Sequence, residues 1–168
     1  SCVELKMKIV IFWLMLFSST TTVVGREDPV FAEVAEILRK QGVKLPPIVV
    51  VDEGQYLKLL GVVYPHTAGF RRWVNGVIDK NVYMVSTSPW YKMAYSRDDR
   101  RATLLMASYV VHEIAHDHGP AELPAYEAQL KFLRLLVVHE SGTQWAWLSF
   151  RILELERYLN ACRPQACE

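Results

Sequence analysis

One segment constrains the fold of this chain more than any other, because residues 98–119 carry the pattern of a single long helix with two distinct faces. Asp98 and Asp99 suit the positive N-terminal end of a helix, and Gly119 with Pro120 is a stop signal. The apolar side chains share one broad face: Thr103, Leu104, Ala107, Val110, Val111, Ile114 and Ala115. We therefore expect this helix to be anchored in a core by that face.

The opposite face of the predicted helix carries two histidines, His112 and His116. Side chains at positions i and i+4 project from the same face, so the two imidazoles can bind one metal ion together. Glu113 lies roughly 100° around the helix from His112, within reach of a water on that metal but awkward as a ligand. Two ligands and one base are what zinc-assisted hydrolysis requires. The competing interpretation is a chance match on two ordinary half-buried histidines.

A third protein ligand is expected downstream, because catalytic zinc normally has three protein ligands and one open position. The candidates are His118, Glu122, Glu127, His139 and Glu140. A second helix is predicted over 121–138, and so short a turn makes it antiparallel to the first. Residues equally far from the turn then face each other, which favours Glu127 opposite His116 and places Glu140 roughly 20 Å farther out. The alternative for Glu127 is a solvated i,i+4 pair with Lys131.

The stretch V-V-H-E-I-A-H-D-H-G, residues 110–119, resembles the active-site helix of zincin metallopeptidases. The resemblance covers about residues 98–138. Gluzincins, the subgroup with a glutamate third ligand, take that ligand from the helix after the motif. The resemblance thus implies Zn²⁺ bound by His112, His116 and Glu127, with Glu113 as general base for a zinc-activated water and a peptide or protein as substrate. The ten residues between His116 and Glu127 are a short spacer, which leaves the gluzincin subgroup open.

Other side chains near the motif are candidates for supporting roles. His118 points about 200° away from His116 if the helix continues, so we expect it to complement the helix C-terminus. A second-shell or substrate-contacting role for His118 is the alternative. Several residues could donate to charge on a scissile carbonyl, and the sequence does not select among them: Tyr95, Tyr126, Tyr158 and His66.

The first 25 residues predict a secretory signal peptide. Lys6 and Lys8 precede an unbroken apolar run over 9–17, and a small polar stretch leads to Gly25, after which cleavage is expected. The expected location is therefore outside the cytoplasm, secreted or periplasmic. An uncleaved segment would instead anchor the chain in a membrane, although seventeen uncharged residues with five Ser and Thr are marginal for crossing a bilayer.

Residues 26–168 have the length of one domain. Without positions 1–25, the 19 basic and 18 acidic residues of the chain become 17 of each. Because basic and acidic residues are equal in number and no dense basic patch is present, we expect no nucleic-acid partner. Cys162 and Cys167 form an even pair near the C-terminus of an exported chain, which predicts a disulfide. Two free thiols are the alternative.

The other segments predict short scaffold elements. These are a helix over 28–40, a strand over 48–51, a short helix over 54–60, a loop over 88–93 and a packing helix over 141–160. A hairpin is expected to pair 73–78 with 82–85, although Asn75 and Gly76 are the stronger local turn signal. The zincin resemblance implies that a strand over 81–86 lies at the sheet edge, where an extended substrate pairs with it.

These inferences predict one α+β domain of zincin type, with a short β-sheet, the motif helix, a glutamate helix and a C-terminal packing helix. The implied function is that of a small exported zinc metallopeptidase. The alternative is a catalytically inactive zincin-like domain that binds a partner, although a pure binding module has no need of Glu113 as a base. A third interpretation is a membrane-anchored interaction domain whose motif arose by chance.

Overall fold

The computed structural model describes residues 28–62, 64, 67–96 and 99–162. Its elements in chain order are α1 (Pro29–Lys40), β1 (Ile48–Val51), α2 (Glu53–Leu60), β2 (Gly69–Phe70), β3 (Trp73–Val74), β4 (Val77–Ile78), β5 (Val82–Val85), α3 (Pro89–Tyr95), α4 (Arg100–Ala115), α5 (Glu122–Val137) and α6 (Gly142–Cys162). A short 3₁₀ turn, His116–His118, follows α4. The class is α+β, as predicted. The predicted signal segment over 1–25 lies outside the described residues.

Side chains cap several helix starts. Asp28 accepts a hydrogen bond from the backbone N–H of Val30 at the start of α1, and Asp99 caps α4 in the same way. Ser88 Oγ accepts from the backbone N–H of Tyr91 at 3.2 Å, and Pro89 occupies the first turn of α3. Because a serine cap followed by proline is a helix-start signal, residues 88–93 lead into a helix and the predicted loop is wrong.

The sheet differs from the predicted hairpin. Strand β5 lies between β1, which runs parallel to it, and β2, which runs antiparallel. The pairing of 73–78 with 82–85 is therefore wrong, because β3 pairs with β4 around Asn75 and Gly76. These two residues have φ of 52° and 78°, the positive values that a type I′ hairpin turn needs. The turn is therefore made by the local signal, Asn75 and Gly76, although a later turn would have given strands of more equal length.

The strand β5 is central in the part of the chain that the structure describes, so its predicted place at the sheet edge is wrong. All four of its residues are buried. Val82 and Met84 face one cluster of apolar residues, whereas Tyr83 and Val85 face another. A strand that is buried on both faces reads as a continuous apolar run, and this explains why alternation does not mark β5. In the described sheet the edge positions belong to β1 and β2.

The larger apolar cluster lies between the sheet and the helices. Its most buried members include Phe31, Leu38, Ile48, Met84, Leu104, Met106, Leu133 and Leu148. The smaller cluster covers the other face of the sheet and consists of Val49, Val51, Tyr56, Phe70, Tyr83 and Val85. The helix α4 contacts α1, α3, α5 and α6 as well as β2 and β5. The motif helix is thus held from several sides. No helix in the described ranges is both long and apolar enough to cross a bilayer.

Replacing Phe31 with alanine is expected to lower the free energy of unfolding by about 3–5 kcal/mol, the usual cost of an aromatic cavity in a core. Phe31 is fully buried, whereas Phe150 on α6 is 56% exposed. The matched change Phe150→Ala should alter stability by less than about 1 kcal/mol. Denaturant titration with chelator present, so that metal binding does not contribute, measures both values. Equal losses in the two variants would contradict the packing described here.

Candidate metal centre

The C-terminal end of α4 carries the motif residues. His112, Glu113 and His116 are 7%, 6% and 5% exposed, and all three line one cavity. α4 ends at Ala115, and His116 begins the 3₁₀ turn that leads to Gly119. The predicted pairing of two imidazoles on one helical face is found, with ring centroids 5.2 Å apart.

Glu122, the first residue of α5, completes a group with the two histidines. One carboxylate oxygen, Oε2, lies 3.2 Å from His112 Nε2, and the other, Oε1, lies 3.7 Å from His116 Nε2. One ligand atom from each of the three residues lies within 4.8 Å of the others. Tetrahedral zinc with bonds of roughly 2.0–2.2 Å separates its ligand atoms by roughly 3.3–3.6 Å. The spacing and the His-His-carboxylate donor set therefore both fit a zinc ion.

Glu127 does not belong to the metal-ligand group that the described residues form. The prediction of Glu127 from the sequence assumed that the ligands lie equally far from the turn on both helices. In the structure α4 stops just before His116, so the first residue of α5 already faces the histidines. Five positions along α5, Glu127 points about 140° away from Glu122 around the helix axis, and it is exposed. The described residues thus group Glu122, which was among the candidates considered, with the two histidines, and a ligand role for Glu127 stays a prediction.

A backbone carbonyl orients His116. Its Nδ1 lies 3.2 Å from the carbonyl oxygen of Gly119. Because a carbonyl can only accept, Nδ1 must carry the proton, and the Nε2 lone pair is left to face Glu122. Gly119 has a φ of 147°, a conformation that side-chain-bearing residues rarely adopt. Glycine at this position therefore both ends the helix and allows its carbonyl to reach the histidine.

Glu113 occupies a position suited to a base. Burial raises the pKa of its carboxyl to about 8, the charge of Glu122 adds to this, and Arg71 opposes it. A group with a pKa near neutrality exchanges protons readily under physiological conditions. A cation bound by the neighbouring ligands would lower this pKa and favour the carboxylate. The arrangement thus places a proton acceptor beside the candidate ligands.

Arg71 was not singled out by the sequence. Its side chain is 4% exposed and pairs with Asp117 in the 3₁₀ turn, and it also donates to the carbonyl oxygen of Lys80 at 3.3 Å. The residue follows β2 and lines the cavity. Since Arg71 and Asp117 are 46 positions apart, only the fold brings them together. The pair ties the strand side of the cavity to the turn that carries His116.

The predicted supporting residues have different surroundings. The ring of Tyr126 packs edge-on against His112 with centroids 4.5 Å apart, and burial, followed by the charge of Glu122, raises the pKa of Tyr126 to about 12. His118 is exposed in the 3₁₀ turn, and its second-shell or substrate role stays a prediction. Cys162 ends α6, but Cys167 lies outside the described residues, so the disulfide also stays a prediction.

The cavity beside the candidate centre has a volume of about 760 Å³, within the range usual for ligand sites. Several aromatic side chains line it: Tyr56, Tyr64, Phe70, Trp73, Tyr109, Tyr126 and Tyr158. Both residues of β2 also lie on its wall. The sheet edge next to the cavity is therefore β2, in place of the predicted strand over 81–86.

No protein-family model matches this chain, and neither a curated protein nor a solved structure matches it. The functional argument therefore depends on the residues of the site. What the structure supports directly is a candidate metal centre formed by His112, His116 and Glu122. Glu113 lies at the same cavity as this centre.

Proposed function

We propose that this chain is a zinc-dependent hydrolase that cleaves peptide bonds in a peptide or protein substrate. One observation carries the proposal: the ligand atoms of His112, His116 and Glu122 lie within 4.8 Å of one another beside a cavity. Two histidines and a glutamate are a donor set of catalytic zinc, which keeps one position open. Zinc in such a site lowers the pKa of water and polarises a substrate carbonyl.

Glu113 is the proposed general base. Its buried carboxyl lines the cavity that the two histidines line, and it would take a proton from the attacking water and pass it to the leaving amine. Tyr126 is the tyrosine best placed to assist, because its ring lies against His112. With its pKa raised to about 12 by burial and by Glu122, its hydroxyl stays protonated at neutral pH. It would donate a hydrogen bond to the carbonyl oxygen of the substrate.

The edge strand beside the cavity supports an extended peptide as substrate. The strand β2 lies at the edge of the three-stranded sheet within the described ranges, and both its residues, Gly69 and Phe70, line the cavity. A peptide that pairs with such an edge gains backbone hydrogen bonds without strong sequence preference. The aromatic walls would then select apolar side chains. Export by the N-terminal segment remains part of the proposal, on the strength of its three-part pattern.

Peptide cleavage tests this function. The full chain, loaded with one equivalent of zinc, is incubated with a mixture of peptides of diverse sequence, and mass spectrometry identifies new termini. We expect cleavage that a zinc chelator stops and that added zinc restores. Zinc binding without cleavage of any peptide would contradict the hydrolase and favour the alternative, a catalytically inactive zincin-like domain that binds a partner.

A further inference from the structure

A chain of buried polar groups lies behind His112. It begins at the backbone carbonyl of Leu105, which accepts a hydrogen bond from Ser108 Oγ at 2.8 Å. Ser108 in turn accepts a hydrogen bond from Gln129 Nε2 at 3.1 Å. Ser108 is 0% and Gln129 is 4% exposed. Polar side chains buried this deeply in a helix–helix contact are costly unless their hydrogen bonds are satisfied, so each remaining atom needs an explanation.

The protons available on each group decide which one donates each of these hydrogen bonds. A serine hydroxyl has one proton, and the Ser108 proton goes to the Leu105 carbonyl. Ser108 Oγ must therefore accept from Gln129, and the amide NH₂ is the group on Gln129 that can donate. The amide oxygen of Gln129, Oε1, is left as a pure acceptor. It is buried and has no hydrogen-bond partner among the residues that the structure describes.

Like Gln129 Oε1, His112 Nδ1 is buried and has no hydrogen-bond partner in the described ranges. The two atoms belong to neighbouring groups. Ser108 and His112 are four residues apart on α4 and project from the same face, so Gln129, which is bonded to Ser108, lies beside His112 across the helix pair. The pair does not have normal hydrogen-bond geometry. Because Oε1 can only accept, a proton on Nδ1 is the arrangement that satisfies both atoms.

We propose that Gln129 is the positioning residue for His112: its Oε1 accepts a hydrogen bond from Nδ1–H and so fixes the tautomer whose Nε2 lone pair faces Glu122. The Gly119 carbonyl does the same for His116. One ligand histidine is thus oriented by backbone and the other by a side chain from α5, the helix that also supplies Glu122. The inference rests on the metal centre of the proposed function but not on peptide hydrolysis.

The tautomer can be read directly by NMR. In the full chain with ¹⁵N-labelled histidine, chelator present and mildly alkaline pH, where an imidazole is neutral, long-range ¹H–¹⁵N spectra show which ring nitrogen carries the proton. We expect His112 and His116 both to be protonated at Nδ1. Gln129→Met keeps the side-chain length but removes the acceptor, so His112 should lose this preference while His116 keeps it as an internal reference.

Gln129→Glu is the conservative variant, and it keeps an acceptor oxygen at the same place. It should restore the Nδ1–H tautomer of His112, provided that the Ser108 hydroxyl turns to donate to the other carboxylate oxygen. A role in packing alone would not separate the two variants in this way, because both keep the volume of the side chain. Should either substitution unfold the chain, the wild-type spectrum by itself still tests the tautomer of His112.

Zinc affinity is the second readout, measured by competition with a chelator of known affinity. Loss of a partner that orients a ligand histidine typically costs roughly 10–100-fold in metal affinity, so Gln129→Met should weaken zinc binding to that extent and Gln129→Glu much less. A wild-type His112 protonated at Nε2, or a Gln129→Met variant with unchanged tautomer and affinity, would overturn the proposal. If the protein shows the expected tautomer and affinities but cleaves no peptide, the proposed hydrolase function is wrong and the role of Gln129 is still supported.

Discussion

Replacing Glu122 with alanine is expected to weaken zinc binding by more than the roughly 10–100-fold that loss of an outer-shell partner costs. Both carboxylate oxygens of Glu122 lie near a histidine nitrogen, at 3.2 and 3.7 Å, so the substitution removes one of the three candidate ligands. The side chain of Glu122 is 62% exposed. We therefore expect no substantial loss of stability when metal is absent, and the effect should be confined to binding.

Glu127→Ala is the matched control for this prediction. Both glutamates lie on α5 and both are exposed, so neither substitution opens a cavity in the core. Chelator competition should show near wild-type zinc affinity for Glu127→Ala and a large loss for Glu122→Ala. The reverse pattern would mean that the third ligand predicted from the sequence is right and that the turn between α4 and α5 differs from the one described.

Glu113→Gln should lower kcat for peptide cleavage by roughly 10²–10⁴-fold, the usual contribution of a general acid–base group. The amide has nearly the size of the carboxyl but cannot take up a proton at neutral pH. Glu113 is 6% exposed, and a neutral side chain of the same shape is easily accommodated there. The variant should fold normally and bind zinc as the wild type does.

Zinc content and cleavage rate, measured on the same preparation, distinguish metal binding by the motif from proton transfer by Glu113. A Glu113→Gln chain with full zinc and little cleavage supports a base that is not a ligand. Wild-type cleavage by this variant would remove Glu113 from the mechanism. Loss of zinc from it would mean that the carboxyl of Glu113 contributes to the metal site itself.

Local patterns predicted the helices of this chain well. The segment over 98–119 contains α4 with its terminal turn, and 121–138 contains α5, since apolar periodicity and stop signals are encoded within each segment. The same holds for the strand Ile48–Val51, which was predicted at its observed bounds. The helix α3 was missed although its signal, Ser88 followed by Pro89, is local and present in the sequence.

Pairing between distant segments was not predictable in the same way. The partners of β5 are β1, more than thirty residues earlier, and the two-residue strand β2. Neither the length nor the composition of Val82–Val85 says that it occupies the middle of the sheet. The choice of strand partners depends on burial of both faces, which only the assembled fold defines.

In the candidate site, too, some residues could be predicted from local sequence, whereas others depend on how distant segments pack. His112, Glu113 and His116 follow from the spacing within one helix, whereas the ligand from α5 depends on where α4 ends and how the turn is made. A shift of the helix end by a few residues moves the opposing position from Glu127 to Glu122. Gln129 carries no sequence signal at all, because its role comes from facing Ser108 and His112 across the helix pair.

The most direct test of the metal centre is zinc X-ray absorption spectroscopy on the full chain at one equivalent of zinc. We expect a first shell of nitrogen and oxygen at roughly 2.0–2.2 Å that contains two imidazole rings, and one of these rings should disappear in His112→Ala. Failure to bind zinc, a first shell with sulfur, or a spectrum that His112→Ala leaves unchanged would contradict the centre formed by His112, His116 and Glu122.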